Sequence, residues 1–212
     1  MPSQGVLAEV ALVAVPVLAA IVFHEVAHGA VAYAFGDPTA AERGRLTLNP
    51  LAHLDPFGTV ILPAILVMLH APVFGWARPV PVNFARLRHP RRDTVLVALA
   101  GPVTNLVMAT IGAMVLAAVP RPEDAVSLVG AVRAMAAVTI QVNCMLAVFN
   151  VMPIPPLDGG RVLVALLPLG ALRAFRMLDR VGYLVVLLVL FNTNLVARLV
   201  RPVTLFFFRL AG

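Results

Sequence analysis

The chain has 212 residues, of which 61% are hydrophobic and 12% charged, with a formal net charge of +6. A soluble domain carries about twice that charged fraction. These figures therefore exclude an ordinary water-soluble fold and predict a single membrane-embedded, all-α polytopic domain over residues 1–212. All sixteen basic residues are arginine, clustered in short connections beside apolar runs; this is the pattern of the positive-inside rule and not of a nucleic-acid surface. Cys144 is the one cysteine, which excludes intrachain disulfides and cysteine-based metal sites.

The first apolar segment runs from about Val6 to Phe35. It lacks the basic flank of a secretory signal, so it is expected to be retained. Gly36-Asp37-Pro38 ends it. From Arg43 to Leu48, "RGRLTL" alternates polar and apolar residues. That predicts a small β-strand after the first helix, an edge onto which an extended peptide can add. Phe57 to Pro72 is apolar but short, with Pro63 inside it, and predicts either a re-entrant element or a crossing.

Next comes "GWARPVPVNFARLRHPRRD", whose Arg78, Arg86, Arg88, Arg91 and Arg92 mark the cytoplasmic side. Trp76 suits the interface at its start. Thr94 to Val119 is a strong span, followed by a short link with Glu123 and Asp124 on the opposite side; Leu128 to Asn150 returns. "VMPIPPLDGGRV" then breaks helicity. Arg173, Arg176 and Arg180 form a second basic connection, before a final helical pair at Leu184–Phe191 and Leu195–Leu210. The sum is about five to six membrane helices or re-entrant segments.

The chemistry lies in "HEVAH" within the first apolar segment. On a helix, His24 and His28 differ by ~40° in azimuth and ~6 Å in rise, so both imidazoles leave one face and can hold one zinc ion. Glu25 reaches a metal-bound water as general base. An unpaired glutamate at mid-membrane costs several kcal/mol, which a metal ion would offset. A catalytic zinc takes a third protein ligand, and the candidates are His53, Asp55, His70, His89, Asp158 and Asp179. Asp158 is the best of them, because it follows a proline-rich helix end and precedes Gly159 and Gly160, which permit close backbone approach.

Together, "HEVAH" in a membrane helix, "AGPVTN" opening a later one and "NVMPIPPLDGG" resemble the site-2 protease family of intramembrane zinc metalloproteases. "GDPTAAERGRLTLNPLAHLDPFGT" and "GWARPVPVN" are similar to its compact bacterial branch, so the likeness covers about Val6 to Val164. The resemblance implies one catalytic Zn2+ held by His24, His28 and Asp158. It implies Glu25 as general base and Asn150 as a donor to the substrate carbonyl or its oxyanion. It further implies a multi-pass protein of the bacterial inner membrane, acting in the lipid bilayer on a membrane protein whose helix unwinds locally, and it leaves a homo-oligomer open.

Asn105, Gln141 and Asn143 read as interhelical hydrogen-bonding groups, and His53 and Asp55 as members of a loop network. The chain shows neither a PDZ-like insertion nor a nucleotide-sensing module, so the membrane core or a partner is expected to select substrates. The competing reading is a non-proteolytic zinc-binding transporter or scaffold. Glu9 is the one further acidic residue within a span, which argues against a transport path. The first helix is expected to run inward, with the N-terminus outside, if Phe57–Pro72 returns to the side it left.

Overall fold

A computed structural model describes residues 4–69, 75–121, 127–168 and 193–212, with isolated positions 182, 186 and 188. The calls on His70, Pro72, Glu123, Asp124, Arg173, Arg176, Asp179 and Arg180, and on most of Leu184–Phe191, lie outside the described residues. Seven α-helices are described: α1 (Gln4–Ala34), α2 (Thr39–Glu42), α3 (Leu62–Met68), α4 (Pro90–Ala118), α5 (Leu128–Val151), α6 (Asp158–Leu166) and α7 (Thr193–Leu210).

Helix α1 is apolar on every face, a pattern that only a membrane or a large core can cover. Pro16 inside it is tolerated as in other membrane helices. The helix stops in a Schellman cap: Gly36 takes φ +105°, its N–H bonds Tyr33 O, and the Asp37 N–H bonds Ala32 O. At the start of α4, Pro90 occupies the first turn and Asp93 accepts the His89 N–H. Helix α5 opens on Ser127, whose hydroxyl accepts the Gly130 N–H, and closes where "MPIPP" removes the backbone donors a further turn would need.

Cross-helix contacts give the topology. His24 and His28 on α1 meet Asn105 and Val97 on α4, so the two helices run antiparallel. Asn105 meets Asn143, and Gly112 lies against Ala136, Thr139 and Ile140, which makes α4 and α5 antiparallel as well. The C-terminal ends of α1 and α5 and the N-terminal end of α4 therefore share one end of the bundle. Arg86, Arg88, Arg91 and Arg92 gather there, with the Arg88 N–H bonded to Phe35 O.

Three helices are long and apolar enough to cross a membrane: α1 from Ala8, α4 and α5. The expected five to six segments are not reached among the described residues. Helix α7 carries Arg198, Arg201 and Arg209, and α3 is too short. The described residues on either side of positions 70–74 meet each other. The Trp76 N–H bonds Gly58 O, Thr59 Oγ1 donates to Trp76 O, and the Arg78 N–H bonds His53 O.

The strand expected at Arg43–Leu48 is a correction: there is no strand among the described residues. Gly44 takes φ +62°, and its N–H and that of Arg45 bond Ala41 O and Ala40 O, so "RGR" is spent on the cap of α2. The Arg45 guanidinium then turns back to Ala52 O and Arg78 O, tying two loops together where an extended edge was expected.

Candidate metal centre

His24 and His28 lie one turn apart on the face of α1 that meets α4, and both are buried. Their Nε2 atoms are 3.0 Å apart. Asp158 Oδ2 lies 3.2 Å from His24 Nε2 and 3.1 Å from His28 Nε2. Among the described residues this is the one group of three histidine or carboxylate side chains able to share a metal ion. The structure thus brings together three of the residues singled out from sequence, 130 positions apart.

Two local features make that convergence feasible. Gly101 on α4 faces the histidines: a Cβ there would sit 2.5 Å from His24 Cε1 and 2.5 Å from His28 Nε2. Gly159 and Gly160 let the first turn of α6 lie against the end of α5 and the Ile154–Pro155 backbone, since a Cβ on Gly159 would collide with Val151 O and Met152 O. Asp158 is thereby carried to α1, with its Oδ1 held by Arg161 at 3.2 Å.

The donor set fits zinc. His28 Nδ1 lies 2.7 Å from Val97 O, a carbonyl that can only accept, so that nitrogen carries the proton. His24 Nδ1 lies 2.6 Å from Asn105 Oδ1 and donates likewise. With both rings neutral, as metal ligands must be, each turns a bare Nε2 lone pair inward and no proton is left to bridge the two. Three lone-pair atoms at 3.0–3.2 Å in a buried site repel one another unless a cation lies between them. Their spacing approaches the ~3.3 Å ligand–ligand edge of a tetrahedron with ~2 Å zinc bonds.

Glu25, half-buried, leaves α1 on a different azimuth. Its Oε2 accepts the Val80 N–H at 2.7 Å. Pro79 and Pro81 flank Val80, so this N–H is the one backbone donor in that tripeptide. Val80 and Leu46 cover Gly29 on α1, which roofs the helix beside the histidines.

Asn150 is not brought to the three ligands by any described contact; its amide donates to Leu146 O within α5 at 3.0 Å. The other candidates serve the scaffold. His53 donates to Thr47 O, Asp55 caps the turn at Phe57 and Gly58, and His89 precedes α4. Sequence reasoning missed Gly101, although "AGPVTN" was in view, because nothing in a glycine announces what faces it.

The C-terminal part of the chain, residues 118–190, matches the model of peptidase family M50. YwhC of Bacillus subtilis, described as a candidate zinc metalloprotease, is 42% identical over 190 residues, 89% of this chain and 83% of that relative. The chain belongs to peptidase family M50. Rip2 of Mycolicibacterium smegmatis, also described as a candidate zinc metalloprotease, is 32% identical over 179 residues, 84% of this chain and 66% of that one. Rip2 of Mycobacterium tuberculosis is 33% identical over 142 residues, 67% and 52% of the two chains. No solved structure matches the chain. As a site-2-type M50 protein, the chain is a zinc metalloprotease integral to a membrane.

Proposed function

We propose that this M50 protease hydrolyses a peptide bond within or beside a transmembrane segment of another membrane protein, with Glu25 as general base. The observation that carries the reading is the inward-facing trio of lone pairs on His24, His28 and Asp158, with Glu25 directly after His24 in the same apolar helix. Zinc held by that trio would supply Lewis acidity to the substrate carbonyl and lower the pKa of the attacking water.

The chain's own groups supply the rest. Glu25 is anchored through Oε2 by Val80, while Oε1 has no described partner; it takes the water's proton and returns it to the leaving amine. Asn150 spends one amide hydrogen on Leu146 O and has a second for the substrate carbonyl. A substrate helix protects its own peptide bonds, so it must unwind locally before it can be attacked.

The arginine-rich end of the bundle is cytoplasmic in this reading, so α1 runs inward and the N-terminus lies outside. His28 is then about 9 Å of helix from the inner end of α1, counting six residues to Ala34. The membrane in this reading is the bacterial cell membrane, because the relatives named above are bacterial proteins. The test is cleavage of a purified single-span substrate in proteoliposomes. Wild type should cut it, and Glu25→Gln should keep its zinc while losing turnover by ~10²- to 10⁴-fold. A wild type that binds zinc and cuts no membrane substrate would point instead to a zinc-binding scaffold.

A further inference from the structure

The two histidines are oriented by unlike means. His28 leans on a backbone carbonyl, Val97 O. His24 leans on a side chain, Asn105, whose amide could in principle turn either way. What fixes it lies on a third helix.

Asn143 on α5 donates its Nδ2 to Thr139 O at 2.8 Å. A carbonyl accepts only, so the Asn143 nitrogen must face it and its Oδ1 must face the other way. That Oδ1 lies 2.7 Å from Asn105 Nδ2. Asn105 Nδ2 has two hydrogens, and the second reaches Ala20 O on α1 at 3.3 Å. Flipping Asn105 would set its oxygen against two acceptors at once. Its Oδ1 is therefore left to face His24 Nδ1 at 2.6 Å. Asn105 and Asn143 are both fully buried, so no water competes for these bonds.

We infer that Asn143 and Asn105 form a positioning relay that selects the Nδ1–H tautomer of His24. The polarity set by one backbone carbonyl at Thr139 passes through two amides and ends as a bare Nε2 lone pair at the zinc site. The hydrogen bond to the ring also holds its plane, as outer partners of zinc-bound histidines do. Without the relay, His24 can carry its proton on Nε2, the wrong nitrogen for a ligand. Neither asparagine touches substrate or metal; each acts through His24.

The inference rests on the reading of His24 as a zinc ligand. The experiment compares zinc affinity, by chelator competition, in detergent-solubilised wild type, Asn105→Leu, Asn143→Leu and Asn105→Asp. Monodispersity and thermal melting follow the fold of each protein. Both leucine variants should bind zinc ~10- to 100-fold more weakly, the scale for outer-sphere partners. Asn105→Asp restores an acceptor to His24 Nδ1; with its other carboxyl oxygen protonated toward Asn143 Oδ1, it keeps the relay's polarity and should recover affinity to within ~3-fold of wild type.

The visible absorption of the cobalt-substituted proteins gives a second readout. It should shift in the leucine variants and return toward wild type in Asn105→Asp. Folded leucine variants with wild-type affinity and spectra would overturn the relay, as would equal loss in Asn105→Asp and Asn105→Leu, which would mark a packing role. Should Asn105→Leu not fold, Asn143→Leu carries the same comparison one bond further from the histidine. A wild type that binds no zinc would instead overturn the underlying site.

Discussion

One stripe of α4 does two different jobs. Val97, Gly101 and Asn105, spaced four apart, serve the histidines of α1. Ala109 and Ala113 continue the spacing and pack against Ile140 and Cys144 of α5 and Phe207 of α7. Each step of four turns the stripe by about 40°, so over 16 residues it swings from one neighbour to the others. In lipid there is little hydrophobic drive between helices, and the second half relies on small residues and close contact. The first half spends its contacts on a polar network that orients ligands. Packing and metal chemistry are thus separable along one helix.

The strongest way to break this division is His24→Ala. It should abolish stoichiometric zinc while α4, α5 and α7 stay packed, as judged by zinc content together with helical circular dichroism. Next in size is a pair of glycine substitutions. Gly101→Ala drives a methyl to 2.5 Å from both imidazoles and should weaken zinc binding by at least ~10-fold, the scale of a displaced outer partner. Gly112→Ala meets Ala136 O and Ile140 Cγ1 at 3.1 Å. It should cost about 1–3 kcal/mol of stability as overpacking and leave zinc content unchanged. Equal effects of the two on zinc would erase the distinction.

The smallest effect concerns the loop beyond α1. Burial alone would raise the carboxyl of Asp37. The Thr39 hydroxyl, the Asn83 and Thr39 N–H groups and nearby Arg86 outweigh it and hold the group below its ordinary 3.8. A lowered carboxylate contributes stability above its ordinary value and loses it as pH falls through the lowered one. Asp37→Asn should therefore lower the melting temperature at pH 7, with the difference from wild type vanishing in acid. A constant difference across that range would remove Asp37's charge from the account.

The ligands were legible because their signals are local. "HEVAH" needs only the helical period to place two imidazoles together, and "PIPPLDGG" announces a break with a carboxylate at its edge. Asn105 was legible as an interhelical hydrogen-bonding amide, but not its partner, since "GPVTN" does not say which helix it faces; its pairing with His24 spans 81 residues. The re-entry of Phe57–Pro72 was equally undecidable from apolar content. The structure adds that Trp76 meets Gly58, a contact between segments rather than a property of either. "RGRLTL" misled because six alternating residues are a weak signal, and a glycine cap with a long-range arginine competes successfully for them.

The central claim is that His24, His28 and Asp158 hold the zinc of a membrane protease. Zinc K-edge X-ray absorption on the purified wild type tests it most directly. The account predicts one zinc per chain, with the scattering signature of two imidazoles, further light-atom ligands and no sulfur. Absence of zinc, or a first shell containing sulfur, would contradict it.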